Sequence, residues 1–318
     1  MKRWILGTLL AVVALSHLPA TAGEGGSYRV ALVPYHVAAE YTKNWLEAIR
    51  EHPFVRDGKV TLTTHDGGGD LQTQIRQYNA LFADKPDAII LVAHDPDASR
   101  HLLELAAAEN VLVVSSGSYI SSPEVSVAIF PDDLRAGYIS ALAVILELGG
   151  KGDIVILNGP NKQSANLRRH GIGRALSEHP DVRVLEERSV DWSLGGAFQT
   201  TNELLEKHKG RVQGIIAAND ELALGAVEAL KASGTPIPPV TGIDGIPRAL
   251  AAVAAGEMLM TLRQDPMNES HAALDLVLRR LEGPGYEPFS KCWGKEQGLP
   301  WDGGMGTFFI IPWTVVYQ

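Results

Sequence analysis

The sequence predicts an α/β protein made of two doubly wound parallel-sheet lobes, joined by a hinge that the chain crosses more than once. Three observations predict this. From Tyr28 onward, short apolar runs bounded by turn residues alternate with amphipathic stretches of helical period. The alternation breaks near Ile129-Phe130-Pro131-Asp132-Asp133 and then restarts. The chain, at 318 residues, is also longer than one ordinary hydrophobic core serves.

In the first half the pattern predicts strands at 28–34, 60–64, 88–92 and 111–115. Helices are predicted between them at 41–51, 71–82 and 98–109; Trp45, Ala48 and Ile49 give the first of these an apolar face. Strands that alternate with helices of this length connect by right-handed crossovers into a parallel sheet covered on both faces. After the break, a helix at 134–148 ends at Gly149-Gly150, a usual helix stop. Strands at 153–158, 182–190, 214–217 and 240–243 then alternate with helices at 164–178, 196–207, 221–232 and 247–255. Residues 258–263 have β character, Gln264-Asp265-Pro266 interrupts them, and a helix runs on to Leu281. If that helix packs on the first half, the chain crosses back at Gln264. The predicted lobes are therefore 24–131 with 265–283, and 132–264 with 284–318. The tail is rich in glycine and aromatics, with one strand predicted over 308–316 and Trp293, Trp301 and Trp313 as packing anchors.

The first residues set the compartment. Lys2 and Arg3 precede an apolar run from Trp4 to Leu15, and Ala20-Thr21-Ala22 follows as a small-residue cleavage site, which is the pattern of a secretory signal peptide over 1–22. The run is too short to span a membrane. Its removal takes away two basic residues and no acidic ones, so the formal net charge moves from −9 to −11. That balance argues against nucleic acid or anionic lipid as a partner. The single cysteine, Cys292, can form no intrachain disulfide and reads either as buried filler or as a nucleophile. No CxxC, HExxH or Cys/His cluster of metal spacing is present, so no cofactor or metal is predicted. Gly67-Gly68-Gly69 lacks the spacing of a phosphate-binding loop and reads as a flexible loop.

The stretch Gly214–Ala226 carries the clearest functional signal. A buried strand ends in Asn219-Asp220, and a helix follows. Ligands of open parallel sheets bind outside the carboxyl ends of the strands, where loops and helix N-termini converge. An amide there can both donate and accept, as a hydroxylated ligand needs. Asn219 can equally be only the N-cap of the helix, and the local sequence leaves both roles open.

Several separated motifs, in order, carry a resemblance: VALVPY at the first strand, the small residues closing strand 111–115, SANLRRHGIG, VDWS, AANDELALGA, TGIDG and LRQDP. With them, residues 28–281 resemble the type I periplasmic solute-binding proteins, most nearly the ribose-like sugar-binding members that serve ABC transporters. The resemblance implies a ligand between the lobes, held by polar side chains at strand ends and by aromatic rings. It assigns Arg168 to hydroxyl and ring oxygens, which a guanidinium fork suits. Trp192 becomes a stacking platform, Asn219 and Asp244 an amide and a carboxylate at successive strand ends, and Gln264 a hinge amide. Read without the family, Trp192 is equally a core residue and Asp244 a turn residue.

The first lobe departs from the family pattern. Tyr35, His36, Ala39, Glu40, Tyr41 and Trp45 stand where ribose-like members carry a small polar residue, an Asn and paired Phe rings, and Ser116-Gly117 stands where they carry Asp-Arg. Tyr35 and Tyr41 can replace the rings. His36 and Glu40 can replace polar contacts or simply face solvent, and His94 points to the cleft edge. With one Arg against one or two carboxylates, the implied ligand is a small neutral sugar or sugar alcohol. The implied partner is an inner-membrane permease, with a chemoreceptor or sensor kinase as the alternative, and the implied state is a monomeric, non-enzymatic periplasmic protein. A DNA-binding repressor of related core is argued against by the leader and the acidic charge. A sugar hydrolase would need a carboxylate pair at set separation, which Asp244 with Glu40 could in principle supply, but no GxSxG, P-loop or metal-ligand cluster accompanies them.

Overall fold

Strands covered on both faces need near-continuous apolar runs, and those runs set the frame of the structure. The computed structural model describes residues 26–38, 40–93, 99–160, 163–294 and 299–318; the predicted signal peptide, Ala39 and His94 lie outside the described residues. The first half contains β1 (Tyr28–Val33), α1 (Glu40–Ile49), α2 (Pro53–Arg56), β2 (Val60–Thr64), α3 (Leu71–Leu81), β3 (Ala88–Leu91), α4 (Arg100–Ala108), β4 (Leu112–Ser116) and β5 (Val127–Pro131). The second contains α5 (Asp133–Glu147), β6 (Gly152–Asn158), α6 (Gln163–Ser177), β7 (Val182–Ser189), α7 (Leu194–His208), β8 (Gly214–Ala217), α8 (Asp220–Ala232), β9 (Val240–Asp244), α9 (Pro247–Ala254) and β10 (Met260–Arg263). The chain ends with α10 (Pro266–Glu282), β11 (Phe308–Ile311) and β12 (Thr314–Tyr317).

Two six-stranded sheets result, ordered β11-β5-β4-β3-β1-β2 and β12-β10-β9-β8-β6-β7. Apart from the last strand of each, both follow the doubly wound order 2-1-3-4-5, so the halves repeat in topology though not visibly in sequence. The pairings are parallel except for β12, which runs antiparallel to β10. Helix α10 packs its Ala272–Leu278 stretch into the core of the first lobe beside Val30, Leu32 and Ile90, which returns the chain from the second lobe.

The tail does not belong to the second lobe as a unit. Pro312 offers no N–H to a ladder, and the predicted strand 308–316 is in fact two. β11 joins β5 in the first sheet, and β12 joins β10 in the second. Tyr286, Cys292, Leu299 and Phe309 are buried in the first lobe, with Trp293 and Trp301 packed on them. The anchor is Asp275 on α10, fully buried, which accepts from His52 Nε2 (3.3 Å), Tyr286 OH (2.6 Å), Phe289 N (2.8 Å), Ser290 N (2.8 Å) and Trp293 Nε1 (2.8 Å). Five donors on one carboxylate explain why a glycine-rich segment follows α10 so closely. The short α2 is an unpredicted addition, started by Pro53 and capped by His52, whose Nδ1 accepts from Phe54 N (3.3 Å).

Candidate functional site

Lobe crossings and strand ends meet at Arg168. Its helix α6 lies against α5 so closely that a Cβ on Gly137 would overlap the Arg168 carbonyl and one on Gly171 the Leu134 carbonyl. This contact is the structural use of the glycine in SANLRRHGIG. It buries Arg168, whose Nε donates to Asp133 Oδ1 (2.7 Å) and whose Nη1 donates to Ala218 O (2.7 Å), beside Asn219. Asp244 Oδ1 lies 3.6 Å from the same Nη1. The Trp313 ring faces the guanidinium at 5.5 Å, and its Nε1 donates to Asp132 O (3.1 Å).

The electrostatics follow from this burial. Desolvation lifts the Asp133 carboxyl above its ordinary range, and the Arg168 charge only partly offsets it. Burial also raises Asp244, Arg168 opposes, and the nearby Asp220 and Asp133 charges raise it further, although one-fifth of the side chain stays exposed. For Arg168, burial works against the charge, but Asp133 and Asp244 more than compensate, so its pKa rises. Asp244 also takes φ +129°, a conformation that costs a non-glycine residue of order 1–3 kcal/mol and is concentrated at functional sites.

A second cluster forms at the Gln264 crossing. Glu269, in the first turn of α10, is almost fully buried. Its Oε1 accepts from Ser116 Oγ (2.8 Å), and its Oε2 accepts from Gln264 Nε2 (2.6 Å) and from the Tyr41 hydroxyl. Burial raises Glu269, and these donors hold it down in part. Burial and then the Glu269 charge push the Tyr41 phenol well above its usual value, with Asp244 adding to the rise, which ties the two clusters together. An open cleft of about 470 Å³ runs between α1, the loop after β9 and the crossing 263–267, and Tyr41, Asp244 and Gln264 line it.

The remaining expected residues have varied positions. Asn219 is the N-cap of α8, accepting from Leu222 N through Oδ1 (3.0 Å), so the bland role is real and its amide nitrogen is what remains for a guest. Trp192 is half-buried and lies flat over Gly159, where a Cβ would collide with the ring. The Tyr35 hydroxyl donates to Gly69 O, and His36 packs on the same glycine. The Gly67–Gly69 loop is thus a close-packed turn under Tyr35, where a Cβ on Gly67 would stand 2.6 Å from the Tyr35 carbonyl, and not the flexible loop expected. Glu40 crosses between the lobes, with Oε2 3.7 Å from Arg248 Nε, and Arg248 also pairs with Glu221 at 3.0 Å. On another stretch of the seam Tyr119 N donates to Gln163 Oε1 (3.0 Å) and Gln163 Nε2 to Tyr119 O (2.9 Å). Asp133, Glu269, Arg248 and Trp313 were not foreseen as site residues. Each acts through a partner distant in sequence, and no local pattern marks it.

Relatives include a xylitol-binding protein of Mycolicibacterium smegmatis, 28% identical over 266 residues that cover 83% of this chain and 75% of that one. A putative rhizopine-binding protein of Rhizobium meliloti is 28% identical over 302 residues, covering 90% and 93%. Among solved structures, an ABC transporter solute-binding protein from Bacillus halodurans with bound myo-inositol superposes with a TM-score of 0.80 at 19% identity, covering 93% of this chain and 96% of that one. One from Actinobacillus succinogenes with bound D-allose gives 0.77 at 22%, covering 92% and 98%. The periplasmic binding protein domain family matches residues 30–285. With two doubly wound lobes and a hinge of several crossings, the chain belongs to the periplasmic binding protein family and has its type I fold.

Proposed function

We propose that this protein captures a small neutral polyhydroxylated molecule, a sugar or sugar alcohol, between its lobes and delivers it to an ABC permease in the inner membrane. The observation that carries the reading is the buried Arg168, fixed by Asp133 and set 3.6 Å from Asp244 at the lobe seam. One guanidinium with carboxylates around it offers donors and acceptors together, as vicinal hydroxyls require, and leaves no surplus positive charge for an anionic ligand. The ligand shell we propose comprises Tyr35, His36, Glu40, Tyr41, Ser116, Arg168, Trp192, Asn219, Asp244 and Gln264. The relatives' names support the class: xylitol, rhizopine and ribose are bound or imported by proteins of similar sequence.

In this reading the lobes close because only the closed form lets both contact the guest. The protein works as a secreted monomer in the periplasm once residues 1–22 are removed, and it releases its ligand unchanged. The test is a thermal-shift screen of the chain from residue 23 with neutral sugars, polyols and sugar acids, followed by calorimetry. A ligand at 100 times its Kd stabilises the fold by about 2.7 kcal/mol. Tight binding of a sugar acid or phosphate with silence from every neutral compound would overturn the proposal.

A further inference from the structure

Three side chains of the proposed ligand shell each spend a hydrogen on one carboxylate. The Tyr41 phenol, the Ser116 hydroxyl and the Gln264 amide come from α1, the end of β4 and the crossing before α10, and all donate to Glu269. An ionised carboxylate is acceptor-only, with about four lone-pair sites, so it holds three donors at once without offering a hydrogen in return. The consequence is directional. A phenol or an aliphatic hydroxyl carries a single hydrogen; once that hydrogen is committed, the oxygen can only accept from any further group. The Gln264 amide commits one N–H to Glu269 and keeps its second N–H and its oxygen. Tyr41 and Gln264 line the open cleft beside the hinge, so whatever reaches the Tyr41 oxygen there meets an acceptor. Arg168, on the other side of the seam, is a pure donor. The second lobe thus offers Arg168 as a donor with Asp244 as an acceptor beside it, while the Tyr41 edge of the first lobe offers an acceptor alone.

We infer that Glu269 is a positioning residue that fixes Tyr41 and Ser116 as acceptors and holds the Gln264 amide in one orientation, so that the Tyr41 edge of the site selects a ligand presenting a hydroxyl hydrogen and rejects one presenting an ether, carbonyl or fluorine there. The inference rests on the ligand class proposed above. Glu269 itself is almost fully buried and already has three donors, so its part is to set hydrogen direction, with the contact made by its neighbours.

The test replaces a hydroxyl by fluorine, which keeps the size and removes the donor. Binding of myo-inositol, xylitol and D-allose, and of the monodeoxyfluoro analogues of each, is measured by calorimetry on the chain from residue 23 and on Glu269→Gln. The wild type should lose on the order of 10-fold or more when the hydroxyl at one ring or chain position becomes fluorine, the scale of one good hydrogen bond. In E269Q an amide N–H replaces a lone pair, one of the three neighbours turns its hydrogen outward, and the parent-to-fluoro ratio at that position should fall toward one. Tyr41→Phe keeps the ring and deletes the acceptor, and should lower the same ratio even if E269Q does not fold. If E269Q and Tyr41→Phe weaken parent and fluoro ligand by equal factors, Glu269 is only structural and the inference is overturned. If no neutral sugar or polyol, these three or any other in the thermal-shift screen, binds the wild type, the proposed ligand class has failed, and the inference falls with it.

Discussion

Glu40 on α1 and Arg248 on α9 reach across the seam between the lobes, with Oε2 3.7 Å from Nε, although 208 residues separate them in the chain. Arg248 is half exposed and also held by Glu221, so the contact is a screened latch on closure. Arg248→Gln should raise the Kd for a neutral polyol by less than about fivefold, and Glu40→Gln, which also removes a proposed ligand contact, by more. The difference from wild type should shrink further in high salt. Calorimetry at two ionic strengths checks this, and a loss above tenfold in Arg248→Gln would show that the pair is more than a screened latch.

Helix contact without side chains is what places Arg168. Gly171→Ala would gain about 1 kcal/mol of helix propensity in isolation. Here its Cβ meets the Leu134 carbonyl, so the expected outcome is net destabilisation of about 1–3 kcal/mol, with α6 and Arg168 displaced. Denaturant melts and ligand affinity should fall together.

The unliganded protein should lose stability as alkalinity increases because of Asp244. Its folded pKa is raised above the unfolded value near 3.8, so its contribution is fully present below that value and is lost as pH rises through the folded pKa. Asp244→Asn should flatten that part of the stability profile. Urea midpoints measured from pH 4 upward report the difference, and an unchanged slope in the variant would remove Asp244 as its source.

Asp275→Ala should be the most damaging single change outside the site. It strands the His52, Tyr286 and Trp293 donors and two backbone N–H groups in a buried region. A loss of at least about 3 kcal/mol is expected. Limited proteolysis should then cut first within 284–306, ahead of the sheet strands.

The strands and helices were legible because each one's apolar pattern is local. β2 and β8 have the predicted bounds, and most other elements differ from prediction by one or two residues at their ends. The tail misled because its composition says packing but not against which lobe, and because the break at Pro312 separates two ladders of similar sequence. Of the proposed site, Asn219, Asp244 and Gln264 stand at strand ends or a crossing, while Arg168, on helix α6, was marked only by the resemblance. Glu269 was not marked at all, since Tyr41 stands 228 residues away and Ser116 stands 153 away. Asp133 likewise meets Arg168 across 35 residues. Such pairings are products of topology, and no spacing rule encodes them.

The split tail gives the closure motion its pivot. Backbone passes between the lobes at 131–133, 263–266 and 311–314. In the last of these only Pro312 and Trp313 separate a strand of one sheet from a strand of the other, a tether that spans no more than about 10 Å when taut. The borders formed by β11 and β12 must therefore stay together at every degree of gaping. The opposite borders, β2 and β7, have no such leash and sweep the widest arc, like the free edges of a book whose spine is bound three times.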